Sequence, residues 1–163
     1  MRTLENIQNK IISRTELPKI VELIKAQNKN VVFSNGCFDL VHRGHVEYLA
    51  KAADLADVFI LGLNTDASVQ RLKGESRPLQ DEYARSVLMA GFSFINYVVL
   101  FDEDTPFELI NEIQPNVLVK GDDYKIEDVV GYDIVTKNGG SVKTIELTKG
   151  YSTSIIVDKI LNS

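Results

Sequence analysis

The chain has 163 residues, of which 44% are hydrophobic and 25% are charged, and its formal net charge at pH 7 is −5. This length favours one domain with one core, and no apolar run approaches the ~20 residues that span a membrane. The acidic balance argues against a nucleic-acid surface, which should be basic. The only cysteine excludes an internal disulfide and, with no secretory segment at the N-terminus, favours a cytoplasmic location.

Apolar runs and amphipathic stretches alternate along the chain. Helical spacing of apolar residues predicts a helix over 15–27, within a helical lead-in that occupies 1–29. Buried strands are predicted, in chain order, at 31–34, 57–63, 97–100, 116–119 and 142–145. Helices are predicted at 46–56, 81–92 and 126–137. A short helix is predicted after a cap at 64–66, another with Thr105 as its cap and Pro106 as its first residue, and a last one from a cap at Ser152 or Thr153 to residue 160. A polar loop is predicted at 72–80.

Strands separated by helices at this rhythm predict an α/β fold. The expected architecture is a Rossmann-like, doubly wound, five-stranded parallel sheet with helices on both faces. One domain would span 1–163, with its core over 30–163. The alternative, a dinucleotide-binding Rossmann domain, is weakened because no G-x-G-x-x-G follows the first strand. Ligands of such sheets bind beyond the carboxyl ends of the strands, which is where the unusual residues of this chain fall.

The segment after the first predicted strand reads G-C-F-D-L-V-H-R-G-H, from Gly36 to His45. His42 and His45 lie three residues apart, so they are expected on one face of a starting helix, where free N–H groups favour anions. Gly44 has no side chain, which lets a phosphate approach the backbone. The segment therefore predicts a site for negative charge on a phosphate, in which Cys37 is a small turn residue rather than a nucleophile.

Polar residues after the second strand extend this prediction. Asn64 and Asp66 end that strand, and the loop that follows carries Lys73 and Arg77, which can close over phosphates unless the loop is merely solvated. Arg85 lies early in the next helix, where it either pairs with neighbouring acids on the surface or presents a bidentate fork to a sugar phosphate. The sequence leaves both of these alternatives open.

Two further segments carry residues that suit phosphates. Lys120, Gly121 and Asp122 follow the fourth strand, where a lysine can reach across a cleft; the alternative is a turn built from Gly and Asp. Residues 152–154, Ser-Thr-Ser, open the last helix and offer hydroxyl and N–H groups to an anion, although such residues are also ordinary helix caps.

The pattern G-x-F-D-x-x-H-x-G-H is the signature of nucleotidyltransferases related to cytidylyltransferases, and this chain resembles that family. It is most similar to the heptose-1-phosphate adenylyltransferases, the enzymes or enzyme domains that make ADP-heptose, from Lys10 onward. The segments that carry the likeness are 31–49, 71–78, 101–106, 117–124 and 152–160. Two departures stand out: Asp122 replaces an expected second glycine, which leaves the choice of base open, and Ser154 replaces the commoner threonine.

The resemblance implies transfer of AMP from ATP to heptose 1-phosphate, with release of pyrophosphate, for cell-envelope polysaccharide synthesis. The catalytic residues would be His42, His45 and Lys73. The nucleotide would contact Gly36, Cys37, Phe38, Gly44, Lys120, Gly121, Asp122, Ser152, Thr153 and Ser154. The phosphate of the second substrate would contact Arg77, Arg85, Asn64 and Asp66.

The resemblance also sets the expected cofactor and partners. Mg²⁺ would accompany ATP without a dedicated protein metal site, Asp39 would order its loop rather than bind metal, and the protein would be a homodimer. The partners would be small molecules, with no nucleic acid and no membrane. Two alternatives remain, namely a cytidylyltransferase acting on glycerol 3-phosphate or a similar polyol phosphate, and a nucleotide-sensing module without chemistry.

Overall fold

A six-stranded, parallel sheet forms the centre of the computed structural model, which describes residues 2–162. The strands are β1 (Ile11–Ile12), β2 (Val31–Gly36), β3 (Val58–Asn64), β4 (Tyr97–Phe101), β5 (Val117–Gly121) and β6 (Ser141–Ile145). Their spatial order is β1-β4-β3-β2-β5-β6. The five expected strands are confirmed, and β1 is an addition from the predicted helical lead-in.

The helices are α1 (Thr3–Gln8), α2 (Leu17–Ala26), α3 (Arg43–Ala53), α4 (Asp66–Lys73), α5 (Glu82–Ala90), α6 (Phe107–Ile113), α7 (Tyr132–Lys137) and α8 (Thr153–Leu161). Two boundaries differ from the expected ones in ways that matter. Helix α3 begins three residues earlier than predicted. The helix predicted over 126–137 is a 3-10 turn (Ile126–Asp128) followed by α7, because the chain turns at Gly131 in the left-handed conformation, with φ of 92°.

The start of α6 also corrects a prediction. Pro106 occupies the capping position, no side chain caps this end, and Thr105 lies outside the helix. The prediction of Thr105 as the cap, with Pro106 as first helical residue, was therefore wrong by one position. No helix within residues 2–162 is long and apolar enough to cross a membrane.

Helices pack on both faces of the sheet, as predicted. On one face, strand residues such as Phe33 and Ile60 pack against α2, α6 and α7, and on the other, Val32 and Phe59 pack against α3 and α5. Successive strand residues point to opposite faces, so nearly every position of the central strand β3 is apolar and buried. This double-sided burial explains why the central strands appear in the sequence as apolar runs rather than alternating patterns.

The strand order reverses between β2 and β5, and there the sheet splits. Strands β2 and β3 pair over six residues, from Val31 to Gly36, whereas β2 and β5 pair only through Val32 with Val117 and Phe33 with Leu118. Beyond these two pairs the carboxyl ends of β2 and β5 diverge. A crevice at such a reversal is the usual ligand site of doubly wound sheets.

Candidate active site

A cavity of about 860 Å³ lies at the carboxyl ends of the strands, over the split between β2 and β5. Most of the residues expected from the sequence line it. They are Gly36, Cys37, Phe38, His42, Gly44, His45, Asn64, Lys73, Arg77, Lys120, Gly121, Ser152, Thr153 and Ser154. The expected residues Asp66, Arg85 and Asp122 are not part of this lining.

His42 is the N-cap of α3 rather than a member of the helix. Its backbone is extended (φ −139°, ψ 171°), and its Nδ1 accepts the backbone N–H of His45 at 3.3 Å. Because Nδ1 is an acceptor, the neutral ring carries its proton on Nε2, which is then a donor for a ligand. The early start of α3 thus gives His42 a defined tautomer.

The two imidazoles stack on each other. Their centroids are 3.8 Å apart and their planes differ by 17°, and the ring of Phe38 meets His45 edge-on at 5.2 Å. Phe38 reaches this position in the left-handed conformation, with φ of 45°, which non-glycine residues rarely adopt. The predicted proximity of His42 and His45 is therefore present, although through stacking rather than a shared helix face.

His45 is held in its neutral form. Burial, together with the neighbouring His42 ring, lowers the pKa of His45 to about 4, against the opposing effect of the Leu40 backbone. Burial also lowers the pKa of His42. The Nδ1 atom of His45 is buried and has no hydrogen-bond partner within the described part of the chain. The His45 ring is therefore neutral and largely enclosed at the cavity wall.

Gly44 makes room for the His42 ring. A Cβ atom at this position would lie 3.1 Å from His42 Nδ1 and 3.3 Å from Tyr151 Cβ. Both distances are shorter than ordinary carbon contacts, so any side chain would push the imidazole or the start of α8 away. In this structure the space beside Gly44 is filled by protein, which adds a packing role to the predicted phosphate approach.

Lys120 is the best-placed cation beside the split. Its Nζ donates to Asn35 Oδ1 at 2.6 Å and lies 5.8 Å from the ring centroid of Tyr124. Burial lowers the pKa of Lys120 to about 8, against the opposing effects of Asp123 and Cys37. The ammonium is therefore charged at pH 7 but poorly solvated, which strengthens its attraction for an anion. The sequence did not identify Asn35 as a site residue, because an asparagine at a strand end is a common turn residue.

Asp39 anchors the loop that follows α4. Its carboxylate accepts Arg77 Nη1 at 2.6 Å and the backbone N–H groups of Leu79 and Gln80 at 2.7 and 3.1 Å. The side chain is buried and its oxygens are occupied by these donors. Asp39 was expected to order its own loop, and these contacts show that it holds the loop after α4. The charge of Arg77 is already paired at the cavity wall.

Arg85 has a structural position that the sequence did not show. It is fully buried, and its guanidinium donates to the carbonyls of Gln80, Cys37 and Asn64 and to the Asp66 carboxylate at 2.7–3.0 Å. Its donors are directed at protein acceptors beneath the cavity floor. Neither alternative left open by the sequence, surface pairing or a fork to phosphate, fits this geometry, and Asp66 is its partner instead of a substrate contact.

Of the two aspartates after β5, Asp123 lines the cavity, whereas the predicted residue Asp122 does not. Asp122 Oδ1 accepts the backbone N–H of Leu147 at 3.2 Å, and the Asp122 N–H donates to the Ile145 carbonyl. These contacts place Asp122 beside the chain that leaves β6, whereas Asp123 lines the cavity. The cavity residue is therefore Asp123, one position later than expected.

The start of α8 also reaches the cavity. Ser152 caps the helix by accepting the Ile155 N–H at 3.2 Å, and Thr153 Oγ1 donates to the Leu40 carbonyl at 3.4 Å. The second bond ties α8 to the loop that carries the histidines. Free N–H groups at this end give the cavity a second region that favours anions.

Lys73 and Cys37 complete the lining. Lys73 is exposed at the last position of α4, next to the loop. Burial raises the pKa of the Cys37 thiol, Lys73, Arg85 and Lys120 oppose this effect, and Asp39 adds to it. A thiol that stays protonated is a poor nucleophile, which agrees with the prediction that Cys37 is a turn residue.

Comparison with known proteins decides the family. Residues 33–159 match the family model described as Cytidylyltransferase-like, and this match covers the histidine segment, Lys120 and the start of α8. The chain belongs to the cytidylyltransferase-like family.

Two relatives match this chain over nearly its whole length. The "Bifunctional protein HldE" of Campylobacter jejuni is 53% identical over 155 residues, which are 95% of this chain and 32% of that protein. The protein of the same name from Geobacter metallireducens is 54% identical over 154 residues, 94% of this chain and 31% of that protein. The chain spans about a third of the length of these relatives.

Two solved structures share the fold of this cytidylyltransferase-like chain. A lipopolysaccharide core biosynthesis protein from Thermoplasma volcanium has a TM-score of 0.61 and 27% identity, over 76% of this chain and 99% of that one. A pantoate-beta-alanine ligase from Francisella tularensis has a TM-score of 0.59 over 88% of this chain and 68% of that one. At 14% identity, the second likeness concerns the fold alone.

Acidification should destabilise the protein through His45. The unfolded ring binds a proton near pH 6.5, whereas the folded ring resists protonation down to a pKa of about 4. The unfolded state therefore binds more protons between these values, and the free energy of unfolding should fall as pH drops from about 6.5 to 4. Urea unfolding of the wild type and His45→Gln at pH 7 and pH 4.5 measures this contribution.

The His45→Gln variant is the control because the titrating groups other than the stacked His42 keep their surroundings in both proteins. The wild type should lose more stability than the variant over this interval. Equal losses would contradict the depressed pKa of His45.

Proposed function

We propose that the chain is a nucleotidyltransferase that transfers AMP from ATP to heptose 1-phosphate, giving ADP-heptose and pyrophosphate. The observation that carries the proposal is the stacked, neutral pair of His42 and His45 at the cavity wall. The likeness of the sequence to heptose-1-phosphate adenylyltransferases and the identity of over 50% to proteins named HldE support the choice of substrates. A cytoplasmic location and a homodimer stay predictions.

In the proposed reaction, an oxygen of the sugar phosphate attacks the α-phosphorus of ATP. A phosphorus–oxygen bond forms to the sugar phosphate while the bond to pyrophosphate breaks, so the leaving group takes the electron pair. No covalent bond to the protein is needed. The protein then contributes by positioning two anions and stabilising the charge that spreads over the phosphate oxygens.

The cavity divides this work among three groups of residues. His42 Nε2–H and His45 donate to α- and β-phosphate oxygens, because neutral imidazoles in a poorly solvated site are oriented donors. Lys120 and Lys73 supply positive charge at the crevice and at the loop. The N-terminus of α8, with residues 152–154, binds the β- and γ-phosphates.

Mg²⁺ enters this proposal as part of the ATP substrate. Within residues 2–162 no group of three or more His, Cys, Asp or Glu side chains can hold a metal ion, and Asp39 is engaged by Arg77 and two backbone N–H groups. Asp123 is exposed and lines the cavity. The Asp123 carboxylate fits Mg²⁺, which is commonly bound by phosphate oxygens, waters and one or two carboxylates.

The decisive experiment measures pyrophosphate release with a panel of substrates. ATP, CTP and GTP are each combined with heptose 1-phosphate and with glycerol 3-phosphate, with Mg²⁺ present throughout. ATP with heptose 1-phosphate should give the highest kcat/KM, by about tenfold or more over the other pairs. The His45→Ala variant serves as the blank that assigns the activity to this site.

The same panel separates the alternatives. Preference for CTP with glycerol 3-phosphate would replace the proposal with the cytidylyltransferase alternative, and nucleotide binding without pyrophosphate release would indicate a sensing module. Asp122, the residue that left the choice of base open in the sequence, accepts the Leu147 backbone N–H and is not among the residues that line the cavity. Its side chain is therefore no argument for CTP.

A further inference from the structure

A buried tyrosine bridges the two strands where the sheet splits. Tyr48 lies on α3, one turn after His45, and is 7% exposed. Its hydroxyl lies 2.8 Å from Ser34 Oγ and donates to the Val119 carbonyl at 3.1 Å. Because the carbonyl can only accept, the Tyr48 proton goes to Val119 and the Ser34 hydroxyl donates to Tyr48. Burial raises the pKa of Tyr48 to about 12, so the hydroxyl keeps this proton.

The position of this bridge coincides with the end of the ladder. The last pair between β2 and β5 is Phe33 with Leu118, and Ser34 and Val119 are the next residues of the two strands. Backbone pairing would continue here in an unsplit sheet. Instead, the Tyr48 hydroxyl joins the strands through one side-chain and one backbone partner.

The next residue of each strand belongs to the cavity. Asn35 follows Ser34, Lys120 follows Val119, and the Lys120 ammonium donates to Asn35 at 2.6 Å. The bridge therefore lies one residue beneath the best-placed cation of the site. The other groups that face this ammonium are Asp123, Cys37 and the ring of Tyr124.

We propose that Tyr48 is a positioning residue that holds β2 and β5 at a fixed separation where they part. Through this bridge it sets the place of Lys120 relative to the His42 and His45 rings, since His42 caps α3 and His45 and Tyr48 lie on that helix. The inference rests on the proposed function, because Lys120 and the histidines are the groups assigned there to the phosphates. Tyr48 also lines the cavity, but its hydroxyl is bonded to Ser34 and Val119 and transfers no proton.

Removing only the hydroxyl tests this role. In Tyr48→Phe the ring still fills its site in the core, but Ser34 Oγ and the Val119 carbonyl lose a partner and must take up water or separate. Either change lets water reach the Lys120 ammonium. The pKa of Lys120 should then move upward from about 8 toward its ordinary value of 10.5.

The first measurement is a titration of the Lys120 side chain by NMR in the protein without substrates, with the signal assigned by its loss in Lys120→Arg. Tyr48→Phe should raise the titration midpoint. Tyr97→Phe is the matched control, because it removes a tyrosine hydroxyl from a half-buried ring at the amino end of β4. A Tyr48→Phe protein that is less stable but titrates as the wild type does would overturn the proposal.

The second measurement is kinetic. In Tyr48→Phe, kcat/KM for ATP should fall by about tenfold or more, because small displacements of positioned groups are costly, whereas Tyr97→Phe should be unaffected. Unchanged kinetics in Tyr48→Phe would also overturn the proposal. Ser34→Ala, which removes one of the two bonds, should shift the titration and the kinetics in the same direction by less, and this variant decides the matter if Tyr48→Phe fails to fold.

Failure of this inference is distinguishable from failure of the proposed function. If the wild type releases no pyrophosphate with any substrate pair, the proposed function is wrong, yet the Lys120 titration still tests the bridge. If the wild type is active and Tyr48→Phe leaves either the Lys120 titration or kcat/KM unchanged, the bridge has no positioning role and the function stands.

Discussion

Replacing His45 with alanine should lower turnover by about a hundredfold or more, on the scale of losing one preorganised donor. The ring is stacked on His42, meets Phe38 edge-on and is held neutral by burial, so its orientation is fixed before substrates arrive. A donor that needs no reorganisation stabilises the transition state more than a solvated one. Alanine is a good helix former, so α3 should persist.

Measuring kcat and KM separately for His45→Ala tests the catalytic role of His45 more sharply than the loss of turnover alone. If His45 acts mainly on charge that develops during the reaction, kcat and kcat/KM should fall together while KM for ATP changes little. The matched control is Lys51→Ala, an exposed change in the last turn of the same helix, which should leave both constants unchanged. Near-normal turnover of His45→Ala would refute the catalytic role.

Most of the sheet could be predicted because of how it is buried. Strands β2 to β5 are mostly buried, so they appear in the sequence as apolar runs, whereas the edge strand β6 is only partly buried. Strand β1 has two residues, Ile11 and Ile12, which is too short for any periodicity to appear. It joins the sheet only because β4 offers an edge, a tertiary fact that local sequence does not contain.

Most of the residues that line the cavity were predicted from the sequence, but their geometry was not. The histidine segment showed which rings meet, yet stacking depends on α3 starting at Arg43, with His42 outside it as the cap. Helix ends are where sequence patterns are least informative, since capping and periodicity compete over a few residues. The sequence also could not show which of Asp122 and Asp123 lines the cavity. Adjacent side chains in a turn point in different directions, and those directions depend on the fold.

Arg85 shows the limit of reading charge from sequence. An arginine near a phosphate motif suggests a ligand contact, because arginine is rarely buried without partners. Here the partners are three carbonyls and Asp66, and they come from separate segments that only the fold brings together. The carbonyls of Cys37 and Asn64 belong to residues of the cavity wall, so this buried cation supports the floor of the site.

This arrangement makes Arg85→Ala the substitution with the largest expected effect on stability. Removing the guanidinium leaves the Asp66 carboxylate and buried carbonyls without their donor, a kind of change that typically costs about 3–5 kcal/mol. Arg85 is fully buried while the Asp66 side chain is 34% exposed, so water can recover part of the loss and the lower end, about 3 kcal/mol, is expected. Urea unfolding monitored by circular dichroism measures the difference.

Arg71→Ala is the control that separates burial from charge pairing. Arg71 also lies on a helix and pairs with carboxylates, those of Asp102 and Asp104, but its side chain is 45% exposed. Exposed pairs contribute little because solvent screens them, so this variant should unfold close to the wild type. If Arg85→Ala were no less stable than Arg71→Ala, the buried bonds would contribute nothing beyond a surface pair, and the support of the cavity floor by Arg85 would have to be abandoned.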